Sequence, residues 1–252
     1  QIETPEALLQ RYEELFRQLL PLVDNAGLSA AVYTQVSDVE TENNGLMTYD
    51  RKVVKIDPGL LRLAHRGQMP PKPTTNANIF VKSRNVELAT VKPNATIEYA
   101  IEAENQPLVW QRYTAPIPLK KTTAIICRAA WPDSLKSHVQ RYVFTKTKAM
   151  KPKGKTGSKP GLKARLFAGS WDKLPDFKAL VPSKELVVNE LSLKQIEQKE
   201  DFGVVFDGGL EVPTTGVYTL HLRSDDGSRL LLNGQLLIEN DGIHGMKDVP
   251  AS

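Results

Sequence analysis

The run KTKAMKPKGKTGSKPGLKAR, residues 146–165, contains eight basic residues and no acid. Lysine, proline, glycine and serine at this density bury too little apolar surface to offset the entropy of ordering the chain. The run therefore reads as a solvated linker, about residues 147–160, and divides whatever folds on either side of it. Much of the positive charge sits here too: the chain has 33 Lys and Arg against 29 Asp and Glu, so without the run the remainder is slightly acidic. A nucleic-acid arm is the other reading, but no aromatic side chain interrupts the run to stack on bases. Nucleic acid is therefore not an expected partner. A second break falls at QMPPKPTTN, residues 68–76, where prolines interrupt any regular element.

The parts so divided are large enough for separate cores, since 252 residues at 40% hydrophobic content suit two or three domains. Cys127 is the single cysteine, which excludes an intrachain disulfide and a multi-cysteine zinc cluster and leaves the redox compartment open. No run of about 20 apolar residues exists to form a membrane-spanning helix. The opening QIETPEALLQ lacks the basic-then-apolar pattern of an export signal. Nothing in the sequence marks an oligomeric state.

Residues 1–67 read as helix, buried strand, polar loop, helix. Thr4 can cap the first helix with Pro5 in its first turn. Leu8, Tyr12, Leu15, Phe16, Leu19, Leu20 and Val23 then recur at helical spacing. After Gly27, LSAAVYTQV is a short apolar run of the kind buried on both faces of a parallel sheet. The loop SDVETENNG follows, and Thr48 can cap a helix through Tyr49, Val53 and Val54.

A strand buried on both faces needs parallel neighbours, and the sequence that follows supplies none. The stretch GLSAAVYTQVSDVETENNGLMTYDRKVVK resembles the end of the catalytic (β/α)8 barrel (TIM barrel) of bacterial family 2 glycoside hydrolases, the β-galactosidase and β-glucuronidase family, over residues 12–55. The resemblance implies that LSAAVYTQV is the eighth barrel strand and that the helix from Thr48 is the eighth helix. It also implies retaining hydrolysis by two glutamates about 5 Å apart. Those glutamates belong to earlier barrel strands and are expected upstream of Gln1, so this segment alone is expected to be catalytically silent. Tyr33, Thr34, Gln35 and Asp38, with Glu40, Asn43 and Asn44, are the expected substrate-binding residues, on the side of a barrel where loops build the site. Barrel packing by Tyr33 and a loop cap by Asp38 are the structural alternatives. Glu40 and Glu42 are expected to serve the loop's hydrogen bonds or the substrate rim rather than proton transfer.

Residues 76–146 alternate with period two through IFVKS, VELATV, TIEYAIE, LVWQRYT, TAIICRAA and HVQRYVFT, the pattern of a small antiparallel β-sandwich. YTAPIPLKKTTAIICRAAWPDSLKS resembles the sandwich domain appended to chitobiase and other glycosidases. Trp110, Tyr113 and Trp131 could stack on sugars, although aromatics of a small sandwich more often fill its core.

Residues 161–252 are also β-patterned. Asn233-Gly234 between two apolar runs signals a hairpin with a type I′ turn. FGVVFDGGLEVPTTGVYTLHLRSDDGSRLLLNGQLLIENDGIH resembles the protective-antigen (PA-14) domain, a β-sandwich of toxins, adhesins and glycosidases. In sugar-binding adhesins of that family, aspartates matching Asp225 and Asp226 hold a calcium ion that ligates sugar hydroxyls. Asn240, Asp241 and His244 are expected at the rim of the same site. A plain Asx turn is the structural alternative for Asp225-Asp226-Gly227. The hairpin is expected to end near Glu239 at an unpartnered edge, with the sandwich continuing past Ser252.

The fold expected is thus multidomain and mainly β: a terminal piece of a TIM barrel followed by two antiparallel β-sandwiches. The function expected is that of part of a modular glycosidase acting on β-linked glycans, with a glycan or oligosaccharide as partner. No cofactor is required beyond calcium in the PA-14 part. Family resemblance implies a secreted, periplasmic or cell-surface setting. A non-enzymatic glycan-binding or adhesion module is the alternative.

Overall fold

A computed structural model describes residues 4–75, 77–133, 135–153, 160–196 and 200–251. The described residues hold two α-helices and sixteen strands, so the chain is mainly β. It divides into two compact units, Gln1–Lys146 and Thr147–Ser252. Among the described residues no helix is long and apolar enough to cross a membrane.

The first unit opens with α1 (Pro5–Ala26). The Thr4 hydroxyl accepts from the Ala7 amide at 3.1 Å, and Gly27 closes the helix at φ 67°, a left-handed position that glycine adopts without a Cβ penalty. Only part of the predicted apolar stripe is covered. Leu9 and Tyr12 are buried against Ile56, Ala64 and Met69, while Leu15 and Val23 remain half exposed.

The barrel unit expected next is not formed. Residues 28–36 adopt no strand, and Val32 is 84% exposed. Among the described residues no parallel strand offers these residues a hydrogen-bonding ladder, and an apolar run alone cannot satisfy its backbone groups. The helix expected from Thr48 is also absent. The Thr48 hydroxyl instead accepts from the Val53 amide at 3.1 Å and donates to Asp50 at 2.7 Å, and Arg51 takes a left-handed φ of 58°. These contacts close a tight turn. The helix that does form, α2 (Pro58–His65), starts ten residues later. Asp57 caps it by accepting from the Gly59 amide at 2.7 Å and the Leu60 amide at 3.2 Å, with Pro58 preset for the first turn.

Beyond α2, the period-two pattern becomes strands. They are β1 (Lys72–Pro73), β2 (Ile79–Phe80), β3 (Arg84–Val86), β4 (Leu88–Ala89), β5 (Thr96–Ile101), β6 (Gln111–Arg112), β7 (Ile117–Leu119), β8 (Thr123–Ala130) and β9 (Gln140–Lys146). A five-stranded sheet runs β2-β9-β8-β5-β6, with β2 parallel to β9 and the other pairs antiparallel. Two short ribbons, β3-β7 and β1-β4, complete the β-structure of the unit. Phe80, Val86, Leu88, Ile117, Leu119, Ile125, Cys127 and Phe144 fill the core that the large sheet shares with these ribbons. The residues 68–71 lie fully or almost fully buried within this unit.

The second unit holds β10 (Leu162–Ala168), β11 (Lys184–Val188), β12 (Phe202–Asp207), β13 (Leu220–Ser224), β14 (Ser228–Leu232), β15 (Gln235–Asn240) and β16 (Lys247–Ala251). One sheet runs β11-β10-β12, and β13-β16 and β14-β15 form antiparallel pairs. Asn233 and Gly234 have φ of 55° and 83°, both positive as the type I′ turn requires. The hairpin ends at Asn240, one residue past Glu239, and among the described residues β14 and β15 pair only with each other. The chain then returns as β16, which pairs with β13 in register Leu222↔Val249.

Candidate functional site

Two groups of sequence-predicted residues can be followed onto the structure, one in each unit. In the first unit the residues after Val32 form a loop that bonds mainly to itself. Tyr33 donates to the Asn44 carbonyl at 2.8 Å, Gln35 to the Glu42 carbonyl at 3.3 Å, and the Asn44 side chain to the Glu42 carboxylate at 3.1 Å. Asp38 is the anchor: its Oδ1 accepts from the Gly45 amide at 2.9 Å and from Lys55 Nζ at 2.6 Å. Lys55 also donates to the Asn43 carbonyl at 3.1 Å. Glu40 sits at the left-handed corner of the Val39–Glu42 turn, with φ 53°. Burial, then the nearby Asp38 charge, raises the Tyr33 phenol pKa above its ordinary value.

Lys55 was not among the predicted residues, and nothing local marks it, because its partner lies 17 residues back. Gly45 is fixed here by space: a Cβ would fall 2.4 Å from the Asp38 amide nitrogen.

The aromatic side chains of the sandwich pack rather than present open faces. Trp131 is buried, and the Tyr113 hydroxyl accepts from the Leu88 amide at 3.2 Å while its ring joins the core. Trp110 is half-buried beneath the Arg128 guanidinium, 4.1 Å from the ring centroid, and Arg128 in turn donates to Glu98 at 2.7 Å.

In the second unit, the turn joining β13 to β14 carries Asp225, Asp226 and Gly227. Asp226 takes a left-handed φ of 59°, and its amide donates to the His244 carbonyl at 2.9 Å. The His244 amide returns a bond to Asp226 Oδ1 at 3.2 Å. These reciprocal bonds tie the turn to the segment after β15. Asn240 and Asp241, at the end of that strand, are therefore brought to the same end of the unit as the predicted aspartates.

Asn240 is 3% exposed, and its Nδ2 donates to the Ser224 hydroxyl at 3.0 Å and reaches Ser228 at 3.4 Å. Its Oδ1 is buried without a hydrogen-bond partner among the described residues. Asp241 Oδ1 accepts from the Leu174 amide at 2.6 Å and the Gly242 amide at 2.8 Å. Those amide bonds hold its carboxyl pKa below the ordinary range. His244 lies with Nδ1 2.9 Å from the Gly245 carbonyl and Nε2 3.2 Å from the Asn240 carbonyl. Both neighbours favour the charged ring and raise its pKa.

Sequence reasoning missed Ser224, Ser228 and the Leu174 amide. The serines flank the predicted aspartates and could have been suspected; Leu174 is 67 residues from Asp241 and leaves no local signal. Gly227 packs tightly here, since a Cβ would lie 3.1 Å from Asp241 Oδ1, 3.3 Å from the Gly242 nitrogen and 3.4 Å from Leu174 Cγ. Gly227→Ala is accordingly expected to destabilise this unit by about 1–2 kcal/mol through overpacking, read as a lower denaturant midpoint.

Among the described residues no three His, Cys, Asp or Glu side chains gather to hold a metal ion. Any cation at this end would need other oxygens as well. The donor set is nonetheless of the right chemical kind for calcium, with the carboxylates of Asp225 and Asp226 and the unpartnered amide oxygen of Asn240.

Residues 158–252 match the PA14 domain family, a carbohydrate-binding type of module. No curated protein and no solved structure matches the chain.

Proposed function

We propose that the second unit binds a glycan through the end that carries Asp225, Asp226, Asn240 and Asp241, with a calcium ion held by the oxygens of Asp225, Asp226 and Asn240. The observation that supports this reading most is Asn240 Oδ1, a buried amide oxygen without a partner beside a doubly acidic turn. A buried acceptor left unpaired costs about 1–3 kcal/mol, which a ligand or cation at this position would recover. Calcium takes 6–8 oxygen ligands, more than this turn supplies, so bound sugar hydroxyls and water would complete the shell. Ser224, Ser228 and the Asp226–His244 bonds hold the ligating groups in place.

The larger role we propose is that of the carbohydrate-binding part of a modular retaining glycoside hydrolase acting on β-linked glycans outside the cell or at its surface. The match of residues 158–252 supports the carbohydrate-binding part of that reading. The first unit would then serve as an accessory body without catalytic glutamates of its own. An adhesion module with no enzyme is the competing role, and the two differ in the protein that carries the chain, not in this site.

Binding of residues 1–252 to oligosaccharides on an array, in calcium and then in chelator, tests the site. Retention should be lost in chelator and in Asp225→Ala and Asp226→Ala. Retention unchanged in both would overturn it. Turnover of an aryl β-glycoside by the same protein would contradict the silent first unit.

A further inference from the structure

We infer that His138 and Glu13 form a protonation-dependent latch that holds α1 against the β-sandwich of the first unit. Glu13 lies on the third turn of α1 and His138 just before β9, 125 residues apart in sequence. His138 Nε2 is 2.8 Å from Glu13 Oε1, with the glutamate side chain 7% exposed and the histidine 23%. The other ring nitrogen, Nδ1, lies 3.2 Å from the Val139 carbonyl.

A carboxylate and a carbonyl can only accept, so both ring nitrogens must carry hydrogen to satisfy both contacts. Only the imidazolium does so. The neutral ring turns one lone pair toward an oxygen and leaves the buried carboxylate without its cation. Burial alone would lower the His138 pKa, but the Glu13 hydrogen bond and charge and the Val139 carbonyl together raise it, against a smaller opposing effect from Arg17.

Other charged and titratable groups line the same contact. Arg17 donates to the Pro70 carbonyl at 2.7 Å, and Lys72 pairs with Glu14 at 2.7 Å, whose pKa is lowered by that bond. On β8, burial pushes the Cys127 thiol up to about 12; on β9, burial raises the Tyr142 phenol, which donates to the Pro71 carbonyl at 3.1 Å. Arg141 on the same strand pairs with Glu102 at 2.6 Å. His65 touches α1 elsewhere, with Nε2 2.7 Å from the Tyr12 hydroxyl and its ring stacked 4.6 Å from Phe16. Glu13 also borders a groove of about 560 Å³ lined in part by α1 and residues 140–144.

The sign follows from a raised pKa. A histidine that binds its proton more tightly in the folded contact stabilises that contact below the ordinary pKa, and the gain is lost as pH rises through the raised value. The latch is thus closed in acid and loosens in base.

Hydrogen exchange of the α1 amides in residues 1–252, corrected for intrinsic rates, tests this between about pH 5.5 and about pH 8.5, which brackets the ordinary imidazole pKa. Protection should fall several-fold with rising pH. In His138→Gln, whose amide can still donate to Glu13, the dependence should vanish, and in His65→Gln it should persist. Flat protection in the unaltered protein, or a slope that survives His138→Gln or disappears with His65→Gln, would overturn the latch. Ring nitrogen chemical shifts read the same point without a substitution: His138 must titrate above the free imidazole value, and titration at or below it refutes the proposal.

Discussion

Asp38→Ala is expected to destabilise the first unit by about 3 kcal/mol, the scale of breaking a buried ion pair by removing one partner. The Asp38 side chain is 8% exposed and Lys55 21%, so solvent cannot readily replace either charge. Without Asp38, the Lys55 ammonium keeps, among the described residues, the Asn43 carbonyl at 3.1 Å, and the Gly45 amide loses its acceptor. The loop of residues 33–55 would lose its central tie. Urea unfolding measures the effect directly, and the double variant Asp38→Ala, Lys55→Met should recover part of the loss because no buried charge is left unpaired. A cost below about 1 kcal/mol would mean that water screens the pair as it does at a surface.

Phe144→Ala is expected to cost about 4 kcal/mol, the sum of lost apolar burial and the cavity left behind. The ring is 2% exposed and packs with Phe80, Val86, Ile117, Leu119 and Ile125 between the sheet and its ribbons. It also carries the Arg84 guanidinium 5.2 Å from its centroid, a contact that alanine cannot replace. Phe144→Leu, which keeps most of the volume, should cost clearly less. Equal losses for the two would point to the aromatic–cation contact rather than the cavity.

The elements legible in the sequence are those whose signals are local. Thr4-Pro5 marks the start of α1, Asn233-Gly234 the turn between β14 and β15, and period-two alternation most strands of both units. The apolar run at residues 28–36 misled because period and polarity describe a side chain's preference and not whether a neighbouring strand exists to pair with it. The helix expected at Thr48 gave way to Asp57-Pro58, a cap with two amide bonds and a preset φ.

In the candidate site, the acidic turn was legible because Asp225 and Asp226 are adjacent. Asn240 and Asp241 were legible as its rim and the flanking Ser224 and Ser228 lay close at hand, whereas the Leu174 amide, 67 residues from Asp241, leaves no local signal. The Lys55 and His138 contacts were hidden for the same reason.

Sugar is expected to meet the second unit at the end bearing Asp225, Asp226 and Asn240. Backbone amide chemical shifts of residues 1–252, followed while an oligosaccharide retained by the array is added in calcium, test it most directly. The largest shifts should fall on residues 225–228 and 240–245 and disappear in chelator. Shifts centred elsewhere, or none at saturating sugar, would contradict it.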